Sequence, residues 1–580
     1  MNKYIAILFA AAVAGATFTS CGDKALDKYP WVLPGQDNVP QPDDTPENVE
    51  VIEKELRGAI PFMINYSHEP TGTWAPHKYQ YYRANSIDNY AGYWTTSKGS
   101  FTFGGPLPTL YNYPNDYLGG AQDNQLFTQS KNAILYSDEF EKPEWRAIAM
   151  IIQAYLGHEI VDFYGAAPFN DWRNGKTTPP LNYEKGVDIY NQIFEELEEA
   201  RTILMERQPS ATELAKIEDI VGEKTISRGD WTRWVKFANC IQLRMAMNIV
   251  KYDEALAQKK AEEAVAQTYG VLTNNDTHDL GYYQATHDCC LYFISNTWND
   301  IRLSASLENI MKHFNHPLLT RWFDINSYAI SDRETGITTP AASGVYGVRN
   351  GIMFRNLNVT GKDKGGYGPF GTLSGEFRYM HQDFFKRAEC NFLRAEGALR
   401  GWEMGGSAKE FYEAGIRIGF TDNGITDEQE IQKYIDQETC EVVDYVDPYQ
   451  SKHNCPGRVK IGVKWNEGDD DETKLEKIVT QKYIANFPMS AEAWTTFRRT
   501  GYPRLFPFYV NNMPEIDTEL QIRRMPLVEN GNNALDIASL TEALGGPQNG
   551  ATRVFWDVPT ETRGEVNEEN GFQYVIPHNF

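Results

Sequence analysis

Cysteine is scarce in this chain: seven residues in 580, no two of them in a C-x-x-C arrangement. That argues against a zinc site or a redox dithiol, both of which need thiols at short fixed spacing. Positive charge is also in short supply, with 55 Lys and Arg against 79 Asp and Glu and a net charge of −24. So acidic a surface argues against nucleic acid or an anionic membrane face as partner, although a local basic patch stays compatible with it. Catalytic motifs are missing too. His158-Glu159 is followed by Asp162 where a zinc protease needs its second histidine. In Gly371-Thr372-Leu373-Ser374-Gly375 the serine stands one place late for a nucleophile elbow. Gly361-Lys362-Asp363-Lys364-Gly365 is a flexible turn and not a phosphate loop, and Asp469-Asp470-Asp471-Glu472 lacks the spacing and glycine of a calcium loop. Carboxylates abound, but sequence places no two of them at the separation a glycosidase needs. The expectation is a protein without catalysis, metal or cofactor.

What the chain does have is aromatic rings, 13% of all residues, with 33 Tyr and 13 Trp. Such an excess predicts a binding surface in addition to a core. Two stretches concentrate rings beside polar side chains. The first, within 65–130, has no helical period and supplies Trp74, Tyr79, Arg83, Asn85, Asp88, Tyr93 and Trp94. The second, 282–302, supplies Tyr282, Tyr283, Trp298, Asn299, Asp300 and Arg302. Sugar rings stack their C–H faces on Trp and Tyr while their hydroxyls bond to Asn, Asp, Arg or backbone. The ligand-binding candidates are therefore Trp74, Tyr79, Arg83, Asn85, Tyr93, Trp94, Tyr283 and Trp298. For any one ring the alternative is that it packs its loop onto the helices. Both stretches are expected to be irregular loops.

The rest of the chain reads as helices in pairs. In 382–420, apolar residues at Phe385, Ala388, Phe392, Ala395, Leu399 and Trp402 predict one face of a helix of about five turns. Gly405-Gly406 should break it, and Ser407 with Glu410 forms a capping box for its antiparallel partner. Trp145 to Leu156 with Val187 to Leu197 makes a second pair, and Trp231 to Ile249 with Ala255 to Val265 a third. Single helices are expected from Thr45, with Ile52, Leu56, Ile60 and Met63 buried, and from Lys474 to Phe487.

At the N-terminus, Lys3 precedes an apolar run from Tyr4 to Phe18, too short to span a membrane, and Thr19-Ser20-Cys21 follows. The pattern resembles a bacterial lipoprotein signal cleaved before Cys21, which would carry lipid; an ordinary signal peptide is the alternative. Residues 1–20 are then the signal, 21–44 a proline-rich tether, and 45–580 one folded domain. Six cysteines remain, of which Cys440 and Cys455 are the first candidates for a disulfide, whereas Cys240 and Cys390 suit buried thiols in helices.

Several blocks together resemble the SusD/RagB family of outer-membrane lipoproteins of Bacteroidetes: Asp162-Phe163-Tyr164-Gly165-Ala166-Ala167-Pro168-Phe169, Gln242-Leu243-Arg244, Trp298-Asn299-Asp300-Ile301-Arg302, Arg394-Ala395-Glu396-Gly397, and Arg498-Arg499-Thr500-Gly501-Tyr502-Pro503. The resemblance implies a mostly α fold in which about four tetratricopeptide-like helix pairs form a scaffold bearing long aromatic-rich loops. The fourth pair would come from the helices at Thr45 and Lys474. It implies scaffold roles for Asp162, Arg244, Glu396 and Arg499, and a partner, a TonB-dependent SusC-like β-barrel transporter. The function implied is capture of a glycan at the cell surface, with peptide binding or a surface glycosidase as alternatives.

Overall fold

We describe the fold from a computed structural model. The described residues run from 46 to 580, without 65–74, 97–125, 177, 219–225, 284–287, 326–329, 332–337, 340–342, 353–369, 380, 449, 512, 528–534, 567–570 and 572.

The protein is mostly helical, and its long helices pack in consecutive pairs. Helix α1 (Pro46–Ala59) packs on α2 (Thr128–Glu139), α3 (Pro143–Tyr164) on α4 (Gly186–Glu206), and α5 (Thr232–Asn248) on α6 (Glu254–Ala266). Then α7 (Arg387–Leu399) packs on α8 (Ala408–Thr421), and α9 (Asp471–Ala485) lies against both of them, followed by α10 (Ser490–Thr500). Each pair also touches the next, through α2 on α3, α4 on α5 and α5 on α7. A helix pair cannot bury its apolar stripe alone, and stacking the pairs joins the stripes into one core. Helix α3 lies deepest. It starts with Pro143, whose missing N–H costs nothing at a first turn, and is buried from Glu144 to Tyr164 on every side. Gly165 ends it at φ +80°, a conformation that favours glycine.

Five expectations need correction. The fourth pair is α1 with α2, not α1 with α9. Helix α2 follows directly on the aromatic stretch, where rings and polar residues hid its start. Residues His381–Phe385 are a strand, not the first turn of a helix; they pair antiparallel with Leu280–Tyr283, and α7 begins only at Arg387. Phe385 matches the helical spacing by coincidence: it serves as a platform for the Arg244 guanidinium, 4.1 Å from its ring. Helix α7 ends at Leu399, ahead of Gly405, because Gly401 at φ +82° already turns the chain. Cys440 and Cys455 are not joined in a disulfide: Cys455 bridges to Tyr445 through its backbone and Cys440 Sγ approaches Gln437, while Cys240 meets Cys390 at 3.4 Å between α5 and α7. The capping box is as expected, whereas the acidic run expected to be a charged loop forms the start of a helix. Ser407 and Glu410 form the full capping box of α8, and the acidic run opens α9, with Asp470 accepting from Thr473 N at 2.7 Å.

Charged side chains knit the pairs together internally. Arg244 on α5 donates to both oxygens of Glu389 on α7 at 2.7 and 2.9 Å and lies 3.5 Å from Glu492 on α10. Lys482 of α9 completes this group by donating to Glu492. Arg499 holds Glu396 by two bonds of 2.7 Å. Burial by itself raises a carboxyl, yet Arg499 and Arg400 outweigh it and hold Glu396 down at about 2. Asp162 accepts from Tyr190 Oη at 2.5 Å and Trp556 Nε1 at 2.9 Å, tying the end of α3 to α4 and to the C-terminal segment.

Candidate functional site

Three segments that are remote in sequence meet at one place. In the first, a helical turn at Pro76–Tyr79 widens into a π-helix over Gln80–Ile87, continues through Asp88–Tyr90, and enters strand β1 (Trp94–Thr96). It is therefore largely helical, where loops are expected; the wide turn spoils the 3.6-residue period that betrays a helix in sequence. The second segment repeats the device. Cys289 Sγ accepts from Tyr292 N at the start of Cys290–Tyr292, a π-helix follows at Phe293–Thr297, and the chain turns into strand β2 (Ile301–Leu303). The turn is made by Asn299 in the left-handed region at φ +59°, and Arg302 braces it with bonds to Asn299 Oδ1 at 2.9 Å and Ser295 O at 2.8 Å.

Strands β1 and β2 join the two segments antiparallel, with Trp94 opposite Leu303 and Thr96 opposite Ile301. Gln80 Nε2 adds a 2.7 Å bond to Asp300 Oδ2. The third segment, 370–379, docks on the second: Asn296 Nδ2 donates to Leu373 O at 2.7 Å and Cys289 N to Arg378 O at 2.8 Å. Arg378 reaches back to Asp288 with a 2.6 Å bond and lies 5.4 Å from the ring of its neighbour Tyr379, which is 43% exposed. The hydrogen bond and the charge of Asp288 raise the Arg378 guanidinium above its ordinary range.

Of the candidate residues from sequence, the structure gives different places to different rings. Tyr93 and Trp94 are fully buried. Tyr93 Oη donates to Tyr483 O at 2.5 Å, and Trp94 packs 5.6 Å from Phe487 and 5.9 Å from Phe323. Neither offers a face to a ligand here. Arg83 is anchored to Glu159 of α3 at 2.7 Å with its guanidinium 5.1 Å from Phe163, and Tyr79 and Asn85 are buried. Tyr79 and Arg83 line a cavity of about 80 Å³ with Tyr155, Glu159 and Gln382. Trp298 is half-buried, edge-on to Phe293 at 5.0 Å, and keeps part of its indole at the surface. Trp74 and the side chain of Tyr283 lie outside the described residues. Sequence reasoning missed Arg378 and Tyr379, which sit in a Gly- and Thr-rich stretch with no period; an adjacent Arg-Tyr pair is the only signal it offers.

A larger cavity, about 380 Å³, opens beside the same region between Phe377, Asp383, Phe487 and the facing ends of α7 and α8. Two of its cations are held by its own wall: Lys386 Nζ donates to Phe487 O at 2.7 Å, and Arg387 pairs with Asp279 and Asp422. Burial, with Asp383 and Asp422 nearby, pushes Asp279 up to about 6. The cavity falls in the size range of small-ligand sites and presents acceptors next to two phenyl rings.

Residues 45–557 match the family model for SusD-like proteins, described as Susd and RagB outer membrane lipoproteins. The chain belongs to this SusD-like family. Solved structures agree. A chitin-binding SusD homologue from Flavobacterium johnsoniae is 30% identical with a TM-score of 0.72, over 87% of this chain and 98% of that one. A SusD homologue from Bacteroides thetaiotaomicron is 27% identical with the same TM-score, over 87% and 98%. One from Bacteroides vulgatus, 22% identical, shares the fold at a TM-score of 0.73 over 92% and 99%. No curated protein matches the chain. No helix among the described residues is long and apolar enough to cross a membrane.

Proposed function

We propose that this SusD-like protein is a non-catalytic receptor that captures a glycan at the cell surface and passes it to a TonB-dependent β-barrel transporter. The observation that carries the reading is the convergence of three segments remote in sequence, which leaves the rings of Trp298 and Tyr379 partly open beside Arg378, Asp288 and Asn299. Flat apolar faces next to donors and acceptors are what a pyranose needs. Trp74 and Tyr283 are proposed as further ligand residues on the strength of the sequence alone. The SusD homologue that binds chitin supports a carbohydrate as the ligand class. Anchoring would be through lipid on Cys21 after removal of residues 1–20, with 21–44 as the tether and 45–580 as the receptor body. Each ring contact contributes modestly, so binding is weak enough for release into the transporter.

Titration calorimetry of the soluble form beginning after Cys21, against a panel of polysaccharides, oligosaccharides and peptides, tests this with product analysis on the same samples. The expected result is binding to one glycan class without new reducing ends. Binding to peptides alone, or the appearance of new ends, overturns it.

A further inference from the structure

Helices α9 and α10 are joined by the turn 486–489, and a cavity of about 10 Å³ lies between them, lined by Lys482, Tyr483, Asn486 and Thr496 among others. Two of these side chains have business left undone. Asn486 is 1% exposed, and neither its amide oxygen nor its amide nitrogen has a hydrogen-bond partner among the described residues. Tyr483 is 2% exposed, and its hydroxyl is likewise without a partner among them. Their neighbours are satisfied: Lys482 Nζ donates to Thr496 Oγ1 at 3.0 Å and to Glu492. Buried polar groups are almost always paired, and an amide orphaned at both ends is far costlier than one that is bonded. The space is that of one water molecule, and the two ends of the Asn486 amide with the Tyr483 hydroxyl supply the two to four polar partners such a water needs.

We infer that an ordered water occupies this cavity, bridging the Asn486 amide and the Tyr483 hydroxyl. The water is part of the fold. It ties the turn 486–489 to α9, and that turn continues into Ser490 and Glu492, which together with Pro488 form one wall of the cavity beside Tyr79 and Arg83. The inference is independent of the glycan reading.

A crystal structure of the mature chain at a resolution that shows waters tests it directly. The expected result is a density peak within hydrogen-bonding distance of both the Asn486 amide and Tyr483 Oη. An empty cavity, or an Asn486 side chain turned onto a protein partner, overturns it. Asn486→Leu gives a second readout of nearly the same volume. If water satisfies the amide, the variant loses those bonds and its Tm falls by about 1–2 °C. If the amide is orphaned, removing it leaves Tm unchanged or higher. Should Asn486→Leu not fold, Tyr483→Phe repeats the comparison with a smaller change and the same expected sign.

Discussion

Arg244 in α5 meets Glu389 at 2.7 Å, and Arg378 at the loop face meets Asp288 at 2.6 Å, so by length the two ion pairs are equals. Their surroundings are not. The Arg244 and Glu389 side chains are 3% and 0% exposed, whereas that of Arg378 is 52% exposed beside an open tyrosine. A buried pair cannot lose one partner without leaving a desolvated charge, and it therefore holds helices in place. An exposed pair is screened by water and adds little to stability, so a ligand hydroxyl can replace either partner at little cost. The same division runs through the rings: Trp94 belongs to the core and Trp298 to the surface, although both come from aromatic-rich stretches of the same kind.

The sharpest way to break this comparison is Trp94→Ala. Removing a fully buried indole should cost about 3–5 kcal/mol of stability in urea unfolding, while the folded fraction binds ligand normally. Unchanged stability with lost affinity would put Trp94 on the ligand side. Arg499→Met should cost about 3 kcal/mol or more by stranding Glu396 in the interior. The sign of its pH dependence follows from the carboxyl. Glu396 is held at about 2 in the folded protein, below the ordinary value near 4.5 of the unfolded chain, so its contribution is complete above about pH 4.5 and disappears as pH falls toward 2. That contribution is about 3 kcal/mol, and acid titration of stability should be shallower in the Arg499→Met variant than in the parent. Trp298→Ala is expected to weaken glycan binding by about 1–3 kcal/mol in calorimetry with less than about 1 kcal/mol lost in stability. Tyr379→Ala, at the smallest end, should reduce affinity by about 1 kcal/mol and leave unfolding unchanged.

The helix pairs were legible because their signals are local. Ser407 and Glu410 announce α8 three residues apart, and Pro143 and Gly165 bracket α3, so short windows of sequence carry the information. Where a distant partner decides, the local pattern misleads. Phe385 fits a helical stripe, but Leu280–Tyr283 claims its backbone for a strand. The π-helices at Gln80–Ile87 and Phe293–Thr297 have no period to read and pass for loops. Which rings stay open was out of reach for the same reason. Tyr93 and Trp94 are buried by Tyr483, Phe487 and Phe323, and nothing within their own stretch distinguishes them from Trp298. The site was therefore legible as a region and not as a set of side chains.

The ladder between β1 and β2 has a consequence for how the protein is made. It is three residues long, and strands so short do not persist as an isolated pair. Helices α2 to α6 all lie between its two halves in the chain, so the ladder closes only after those helices have docked and brought its ends together. Assembly of the aromatic face is thus a late event. The face that carries Trp298 is therefore held together by helices that lie far from it in sequence.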